Sequence, residues 1–220
     1  HVGIIMDGNR RAAQELGLPK YEGHKLGQKR IEPMVVFAAD QGIQYLTLWA
    51  YSTKNQKRPK IEQMALNQVF RQTLQGEEMD RLVDQGIKVR FIGDLSFFPK
   101  DIQRGAEKLA SDSEQNKEMN LVVALNYSGR DEIKRAGKKA RLAGHAEPEE
   151  HIEEYLDTVG IPDPDLIIRT GGDVRTSGFM SWQAEDAEWH FTDVKWPNFT
   201  EDDFQKALTD FSDRKRNFGA

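Results

Sequence analysis

Arginines, glycines and small hydroxyl residues follow four of the short apolar runs in this sequence. The four polar segments are Asp7-Gly8-Asn9-Arg10-Arg11, residues 52–59, residues 126–130 and residues 169–178. Arginine is the side chain best suited to a bidentate grip on phosphate oxygens. Glycine lets backbone N–H groups approach an anion closely. Together these segments predict a binding site for one or more ligands that carry phosphate.

Asp7 is the one carboxylate in the first polar segment. A carboxylate facing phosphates is repelled unless a divalent cation bridges the two, and Mg²⁺ typically binds one or two carboxylates together with phosphate oxygens of a substrate. Asp7 is therefore a candidate metal ligand, with capping of the following helix as the alternative. Glu188, just before the last apolar run, is a second candidate, with an ordinary surface glutamate as the alternative.

Two common nucleotide-binding fingerprints are absent from the sequence. No glycine-rich loop ends in Gly-Lys-Ser or Gly-Lys-Thr, and no dinucleotide-binding glycine pattern follows the first apolar run. An aspartyl-phosphate hydrolase would place a second carboxylate two positions after Asp7, where Asn9 stands. These observations count against all three classes of phosphate-handling protein.

Short apolar runs alternate with longer amphipathic stretches, which is typical of an α/β fold. We expect strands at residues 2–6, 45–51, 89–92, 121–125, 166–168 and 189–191, and helices at 27–41, 60–84, 99–116, 131–142, 148–156 and 201–216. Pro33 implies a kink or a late start in the first of these helices. The chain is thus predicted to form a single domain over residues 1–220, with a mostly parallel six-stranded sheet and helices on both faces. Ligands of such a sheet bind beyond the carboxyl ends of its strands, where all four polar segments fall.

The composition excludes several other classes of protein. The net charge of −5 argues against a nucleic-acid binder, which normally carries a basic excess. The absence of cysteine excludes a disulfide scaffold, a thiolate metal site and a cysteine nucleophile. No apolar run approaches the roughly 20 residues of a membrane-spanning helix, and the first residues lack the basic lead-in of a signal peptide. We expect a cytoplasmic protein.

Five ordered motifs resemble those of the cis-prenyltransferases, the family of undecaprenyl and dehydrodolichyl diphosphate synthases. The matching segments are residues 1–11, 51–59, 126–130, 164–183 and 188–197, the last of them followed by Arg214-Lys215-Arg216-Asn217-Phe218-Gly219. This match covers essentially the whole chain. The resemblance implies an enzyme that condenses isopentenyl diphosphate with an allylic diphosphate, using Mg²⁺, to give a Z-polyprenyl diphosphate that serves as a carrier-lipid precursor.

The resemblance also implies roles for residues at matching positions. It places the allylic diphosphate at the loop after the first strand and isopentenyl diphosphate at the loop that begins with Arg169. The implied catalytic residues are Asp7, Asn9, Ser52, Asn55 and Arg58. The implied substrate-binding residues are Gly8, Arg10, Arg11, Lys20, His24, Arg169, Arg175 and Ser177. Asp7 and Glu188 would hold the metal, and Asp7 would also assist proton removal.

The sequence departs from the family pattern at several positions. Ala12 and Gln56 replace aromatic residues, Lys20 replaces an arginine, and Asp173 replaces a glutamate. These changes bear on substrate preference and product length more than on the type of reaction. Two interpretations stay open: a catalytically competent enzyme, and a non-catalytic binding subunit of the same fold in a heteromeric prenyltransferase.

The resemblance implies, finally, a hydrophobic tunnel and a dimer. The predicted helix at 60–84 carries apolar residues at helical spacing, for which ordinary core packing is the alternative to a tunnel wall: Ile61, Met64, Ala65, Val69, Phe70 and Leu74. Four aromatics between Trp182 and Trp196 favour a homodimer interface. The terminal residues 214–219 would complete the isopentenyl diphosphate site, and peripheral contact with a membrane would allow product release.

Overall fold

The computed structural model describes residues 1–214, and in them six strands form one fully parallel sheet. Strands β1 (Val2–Ile5), β2 (Tyr45–Trp49), β3 (Ile87–Ile92), β4 (Met119–Ala124), β5 (Leu166–Arg169) and β6 (Glu188–Phe191) lie in the order β3-β4-β2-β1-β5-β6. Every neighbouring pair is parallel. The predicted α/β class, the single domain and all six strands are confirmed, with strand ends shifted by no more than two residues.

Helices flank this sheet on both faces. They are α1 (Asn9–Glu15), α2 (Glu22–Gln28), α3 (Ile31–Asp40), α4 (Lys60–Leu74), α5 (Glu77–Asp84), α6 (Lys100–Asp112), α7 (Gly129–Leu142) and α8 (Glu201–Asp213). Within residues 1–214, none of the helices combines the length and the apolar character needed to cross a bilayer.

Several predicted helices differ from the observed ones, and the helix predicted at 99–116 ends at Asp112. The stretch 27–41 is divided, and α3 begins at Ile31, so Pro33 lies in its first turn, where the missing N–H costs little. The stretch 60–84 is broken at Gly76, whose extended backbone separates α4 from α5. The stretch 148–156 forms only two 3₁₀ turns, Pro148–His151 and Glu153–Tyr155. The last helix ends at Asp213, and the rest of its predicted range, beyond residue 214, lies outside the described residues.

The core holds the strands rigidly on both faces of the sheet. On one face, Met34 of α3 and Phe204 of α8 are fully buried in the same cluster as Ile4. On the other, Phe179 packs with Ile167 of β5. Burying a side chain of this size contributes about 1.5–3 kcal/mol. The carboxyl ends of the strands are therefore fixed relative to one another.

The aromatic residues near β6 are not all available for an interface. Trp196 is 1% exposed, and its indole Nε1–H donates to the carbonyl of Gly27 at 2.8 Å. Trp189 and Phe191 stack at 5.7 Å and are half-buried, and Trp182 is exposed. The sequence-based count of four interface aromatics is wrong for Trp196, because the chain turns back after β6 and inserts this ring into its own core.

Candidate active site

The loops after the carboxyl ends of the strands surround one cleft of about 570 Å³. Thirteen of the fourteen predicted site residues line it: Asp7, Gly8, Asn9, Arg10, Arg11, Lys20, His24, Ser52, Asn55, Arg58, Arg169, Arg175 and Ser177. Lys54 and Asp173 also line the cleft, so seven cationic side chains face two carboxylates. This excess of positive charge suits a ligand with several negative charges, such as a diphosphate.

Asp7 is held from several sides just beyond the end of β1. Its backbone N–H donates to Oγ1 of Thr170 at 2.9 Å, and Oδ1 accepts the backbone N–H of Gly8 at 2.6 Å. Its other oxygen, Oδ2, accepts Nη2–H of Arg169 at 2.8 Å, while Nη2 of Arg11 lies 3.3 Å from Oδ1. The carboxylate stays about one-third exposed, at 32%, and so remains open to the cleft.

The Arg169 guanidinium is almost completely buried beneath the cleft, at 4% exposure. Its Nη1–H groups donate to the carbonyl of Arg175 and, at 2.7 Å, to the hydroxyl of Ser177. Its Nε–H has no hydrogen-bond partner among residues 1–214. A buried donor of this kind can be paired by an ordered water or by a ligand.

Asp173 neutralises much of the remaining positive charge on this side. It accepts two hydrogen bonds from Arg175, at 2.8 and 2.9 Å, and lies 3.5 Å from Nη2 of Arg11 and 3.6 Å from Nη2 of Arg169. The hydrogen bonds from Arg175 are the main cause that lowers the pKa of Asp173. A diphosphate that binds Arg175 must therefore compete with this carboxylate.

Two glycines allow the loop after β1 to approach the loops after β5 and β6. Gly171 has φ +87°, and a Cβ there would lie 2.8 Å from Nη2 of Arg11 and 2.9 Å from the Asp7 carbonyl carbon. Gly8 has φ +99°, and its Cβ would lie 2.8 Å from the Cβ of Lys195. Both positions combine a left-handed backbone with no room for a side chain.

Ser52 and Asn55 are bonded to each other's backbone. The Ser52 backbone N–H donates to Oδ1 of Asn55 at 3.0 Å, and the Ser52 hydroxyl accepts the N–H of Lys54 at 3.3 Å. Together they form a capping box that shapes the 3₁₀ turn Thr53–Lys57. Asn9 is tied in a similar way, because its Nδ2–H donates to the Met6 carbonyl at 2.8 Å. The geometry of these three side chains shapes the rim of the cleft.

His24, Arg58 and Glu62 form a cluster on the α4 side of the cleft. Oε1 of Glu62 lies 3.2 Å from Nη1 of Arg58 and 3.5 Å from Nε2 of His24. The His24 side chain is 13% exposed, and its burial, followed by the charge of Arg58, lowers its pKa to about 4. The imidazole is therefore neutral at pH 7.

Glu62 was missed by the sequence reasoning, although a signal for it existed. It stands four residues after Arg58 in the first turn of α4, the spacing at which opposite charges on a helix approach each other. It is 9% exposed. The negative charge of Glu62 offsets the positive charge of Arg58 beside the buried imidazole.

Glu188 is the predicted site residue that the fold does not bring to the cleft. It begins β6, paired with Leu166, whereas Arg169 pairs with Ile5 at the other end of β5. Glu188 therefore lies three residues of parallel strand, or about 10 Å, away from the end of the sheet at which Arg169 stands. Its carboxylate lies 3.0 Å from Nη1 of Arg214. The expectation that Glu188 shares a metal with Asp7 is therefore not met within one chain.

An apolar cavity of about 90 Å³ adjoins the cleft, and Met6, Asn9, His24, Trp49 and Ala50 line both. Residues from one face of α4 form part of its wall: Leu66, Val69, Phe70, Thr73 and Leu74. Ile61 and Met64 are 68% and 71% exposed, so their assignment to the tunnel is wrong. The inward stripe of α4 begins with Glu62 and Leu66, which turns Ile61 and Met64 toward solvent.

The chain is similar to known proteins over its whole length. A family model described as "Putative undecaprenyl diphosphate synthase" matches residues 5–219. An isoprenyl transferase of Aquifex pyrophilus is 44% identical over 220 residues, which cover all of this chain and 95% of that protein. An isoprenyl transferase of Bacillus subtilis is 42% identical over 229 residues, which cover all of this chain and 86% of that protein.

Solved structures show the same fold. The lavandulyl diphosphate synthase of Lavandula x intermedia, in complex with dimethylallyl diphosphate, superposes with a TM-score of 0.94 at 33% identity. A "probable undecaprenyl diphosphate synthase" of Campylobacter jejuni gives 0.84 at 28% identity, and both matches cover all of this chain and 98% of the other. The chain belongs to the undecaprenyl diphosphate synthase family and is a cis-prenyltransferase.

Proposed function

We propose that this chain is a catalytically competent enzyme that joins isopentenyl diphosphate to an allylic diphosphate and forms a new Z double bond. The observation that carries the proposal is the position of Asp7, fixed by Arg169 and Arg11 in a cationic cleft that adjoins an apolar cavity. A prenyl diphosphate has this same division, with a charged head and an apolar tail. A subunit that only binds a partner would not need such a carboxylate.

The cleft offers two groups of side chains for two diphosphates. His24, Arg58 and Arg10 surround Glu62 beside the apolar cavity. Together with Arg11 beside Asp7, they would bind the allylic substrate, whose tail enters past Met6 and Ala50. The second group, Arg169, Arg175 and Ser177, would bind isopentenyl diphosphate. The neutral imidazole of His24 can serve as a hydrogen-bond donor to a phosphate oxygen without adding a charge.

The donor set at Asp7 fits Mg²⁺. The carboxylate is partly exposed to the cleft, no cysteine exists in the chain, and phosphate oxygens would complete an all-oxygen shell. Asp7 is the residue that would hold the ion, with Asp173 within reach of the same arginines. When bound, Mg²⁺ would neutralise charge on the diphosphate.

The reaction breaks the allylic carbon–oxygen bond, and the diphosphate leaves with the bonding electrons. The double bond of isopentenyl diphosphate then forms the new carbon–carbon bond, and a proton is lost. Arg10, Arg11 and Arg58 would stabilise the negative charge on the departing diphosphate. Asp7 would assist removal of the proton. The apolar cavity would exclude water from the carbocation-like centre.

A polyprenyl carrier-lipid precursor made by a cytoplasmic homodimer is the context we propose for this activity. The half-buried Trp189 and Phe191 on the edge strand β6 offer an apolar surface for a second copy. Ile61 and Met64, exposed on the helix that borders the cavity, offer an apolar surface for peripheral membrane contact during product release. Residues 215–219 of the predicted tail motif lie outside the described part of the chain.

The decisive experiment is an incubation of purified protein with Mg²⁺, radiolabelled isopentenyl diphosphate and either farnesyl or geranyl diphosphate. Chromatography of the products would show both activity and chain length. Labelled prenyl products are expected. Binding of the substrates without product, under conditions in which a related enzyme turns over, would favour the non-catalytic binding subunit instead.

A further inference from the structure

Two histidines and a glutamate converge beyond the far end of α7, away from the cleft. His145 follows α7, and His151 and Glu154 belong to the 3₁₀ turns that pack against that helix. One ligand atom from each of the three lies within 4.8 Å of the others. The other end of α7 borders the cleft loop, since the Gly129 N–H donates to the Gly178 carbonyl at 2.8 Å. Fourteen helical residues, about 20 Å, therefore separate the cluster from that loop.

The two imidazoles of this cluster are stacked face to face. Their ring centroids are 3.8 Å apart, with 23° between the planes. Nδ1 of His151 lies 2.6 Å from Oε1 of Glu154, and Nε2 of His145 lies 3.0 Å from the Tyr155 hydroxyl. A cation held here would take one ligand atom from each of the three side chains.

We propose that His145, His151 and Glu154 form a binding site for a transition-metal ion, with Zn²⁺ as the best fit. Two imidazole nitrogens and one carboxylate oxygen are a ligand set that Zn²⁺ takes, whereas Mg²⁺ prefers oxygen ligands alone. A water molecule would occupy the fourth position of a tetrahedral shell.

To accept the ion, at least one ring must turn out of the stack, because the in-plane lone pairs of two nearly parallel imidazoles do not converge on one point. Zn–N bonds of about 2.0–2.1 Å in a tetrahedral shell place ligand atoms roughly 3.3 Å apart. Closing a separation of up to 4.8 Å to the tetrahedral value takes movements of up to about 1.5 Å by these side chains. The Tyr155 hydroxyl contacts Nε2 of His145, so Nδ1 is the ring nitrogen that would bind the metal. This contact with the hydroxyl would also fix the orientation of the ring. The ion would connect the end of α7 to the two 3₁₀ turns.

The test is calorimetric titration of the tag-free, full-length chain with ZnCl₂ in the presence of excess Mg²⁺. The excess Mg²⁺ occupies oxygen-only sites such as the one proposed at Asp7. The variants are His145→Ala, His151→Ala and His151→Gln, the last of which keeps the side chain's size. His190→Ala is the matched control, because His190 bonds to Asp210 on a different face of the molecule.

We expect one equivalent of Zn²⁺ to bind the unaltered chain and the His190→Ala variant with the same affinity. Each variant at His145 or His151 should bind at least tenfold more weakly, while prenyl transfer stays unchanged. Titration with Co²⁺ should produce a visible absorption band that the His151 variants lose. The absence of saturable Zn²⁺ binding, or equal affinity in the His151 variants, would overturn the site without affecting the proposed activity.

Discussion

The Arg169 guanidinium, 4% exposed, donates through Nη2 to Oδ2 of Asp7 at 2.8 Å. Parallel pairing of β1 with β5 sets Ile5 beside Arg169, so the sheet itself brings these two loops together. A buried guanidinium that loses its partner is costly. Asp7 is therefore bound into the structure as well as exposed to the cleft, and its replacement by alanine would lower stability. Asparagine, which keeps an oxygen acceptor, is the better probe of its chemistry.

Asp7→Asn should lower prenyl transfer about 100-fold or more, because a neutral amide is a poor ligand for the cation that offsets diphosphate charge. Folding, checked by circular dichroism and thermal unfolding, should be preserved. Removal of metal from the unaltered enzyme with EDTA should have the same effect on turnover, and added Mg²⁺ should restore it. Asp112→Asn, at the exposed end of α6, is the control. Full activity in Asp7→Asn or in EDTA would contradict the metal assignment.

The two diphosphate positions should separate kinetically. Arg175→Ala should chiefly raise the KM for isopentenyl diphosphate, and Arg11→Ala the KM for the allylic substrate. Loss of a charged hydrogen bond to phosphate costs roughly 1.5–3 kcal/mol, or about 10- to 150-fold. Arg175 is exposed and already paired with Asp173, which places it near the lower end of this range.

Arg169→Ala should affect both KM for isopentenyl diphosphate and kcat, since its guanidinium also positions Asp7. Initial rates with each substrate varied in turn provide the measurement. If Arg175→Ala and Arg11→Ala change both KM values equally, the division of the cleft into two positions is wrong.

His24 should make the folded protein sensitive to acid. Its pKa is lowered to about 4 from 6.5, so the unfolded chain binds this proton more readily between those pH values. Stability should therefore rise with pH from about 4 to 6.5 and level off above that range. Because one pKa unit corresponds to 1.36 kcal/mol, this one group lowers the free energy of unfolding by about 2 kcal/mol between pH 8 and pH 5.

Urea unfolding of the unaltered chain and of His24→Gln at pH 8 and pH 5 measures this difference. The variant should lose about 2 kcal/mol less than the parent on acidification. His190→Gln, whose histidine is paired at the surface of β6 with Asp210, serves as the control. An identical acid response in parent and His24→Gln would show that the buried imidazole is not the cause.

The sequence predicted the strands well because most of them are short apolar runs buried in the sheet, as Val2–Ile5 is along its whole length. The edge strand β6 is half-buried and gave the weaker signal. It also predicted most of the cleft, since parallel strands bring their carboxyl ends to one edge. The contact of Glu62 with His24 could not be predicted, because the two residues lie 38 positions apart and are brought together only by packing of α2 on α4. The exposure of Ile61 and Met64 depended on the rotation of α4, which its several apolar residues do not specify.

The small size of the apolar cavity suggests a way to change product length. At about 90 Å³ it is smaller than a 150 Å³ cavity that holds one benzene ring, so a long prenyl chain requires the cavity to widen. Phe70→Leu removes volume from the cavity wall while keeping an apolar side chain. Products should shift toward longer chains, as measured by chromatography of dephosphorylated prenyl alcohols. Ile61→Leu, on the exposed side of α4, should leave the distribution of product lengths unchanged. If Ile61→Leu changes the product lengths and Phe70→Leu does not, the cavity wall at Phe70 does not limit chain length.

A homodimer through β6 should depend on Trp189 and Phe191, the two stacked aromatics on its edge. Trp189→Ala should convert the dimer to a monomer at micromolar concentration in analytical ultracentrifugation, because aromatic side chains at the centre of an interface contribute a large part of its binding energy. Trp182→Ala tests the outer part of the same region and should weaken association less, since its indole bonds to Glu153 of its own chain.

Deletion of residues 215–220 leaves α8 complete and should lower activity far more than thermal stability. A monomeric parent protein would defeat the dimer prediction, and a fully active truncated chain would defeat the role assigned to the terminal residues.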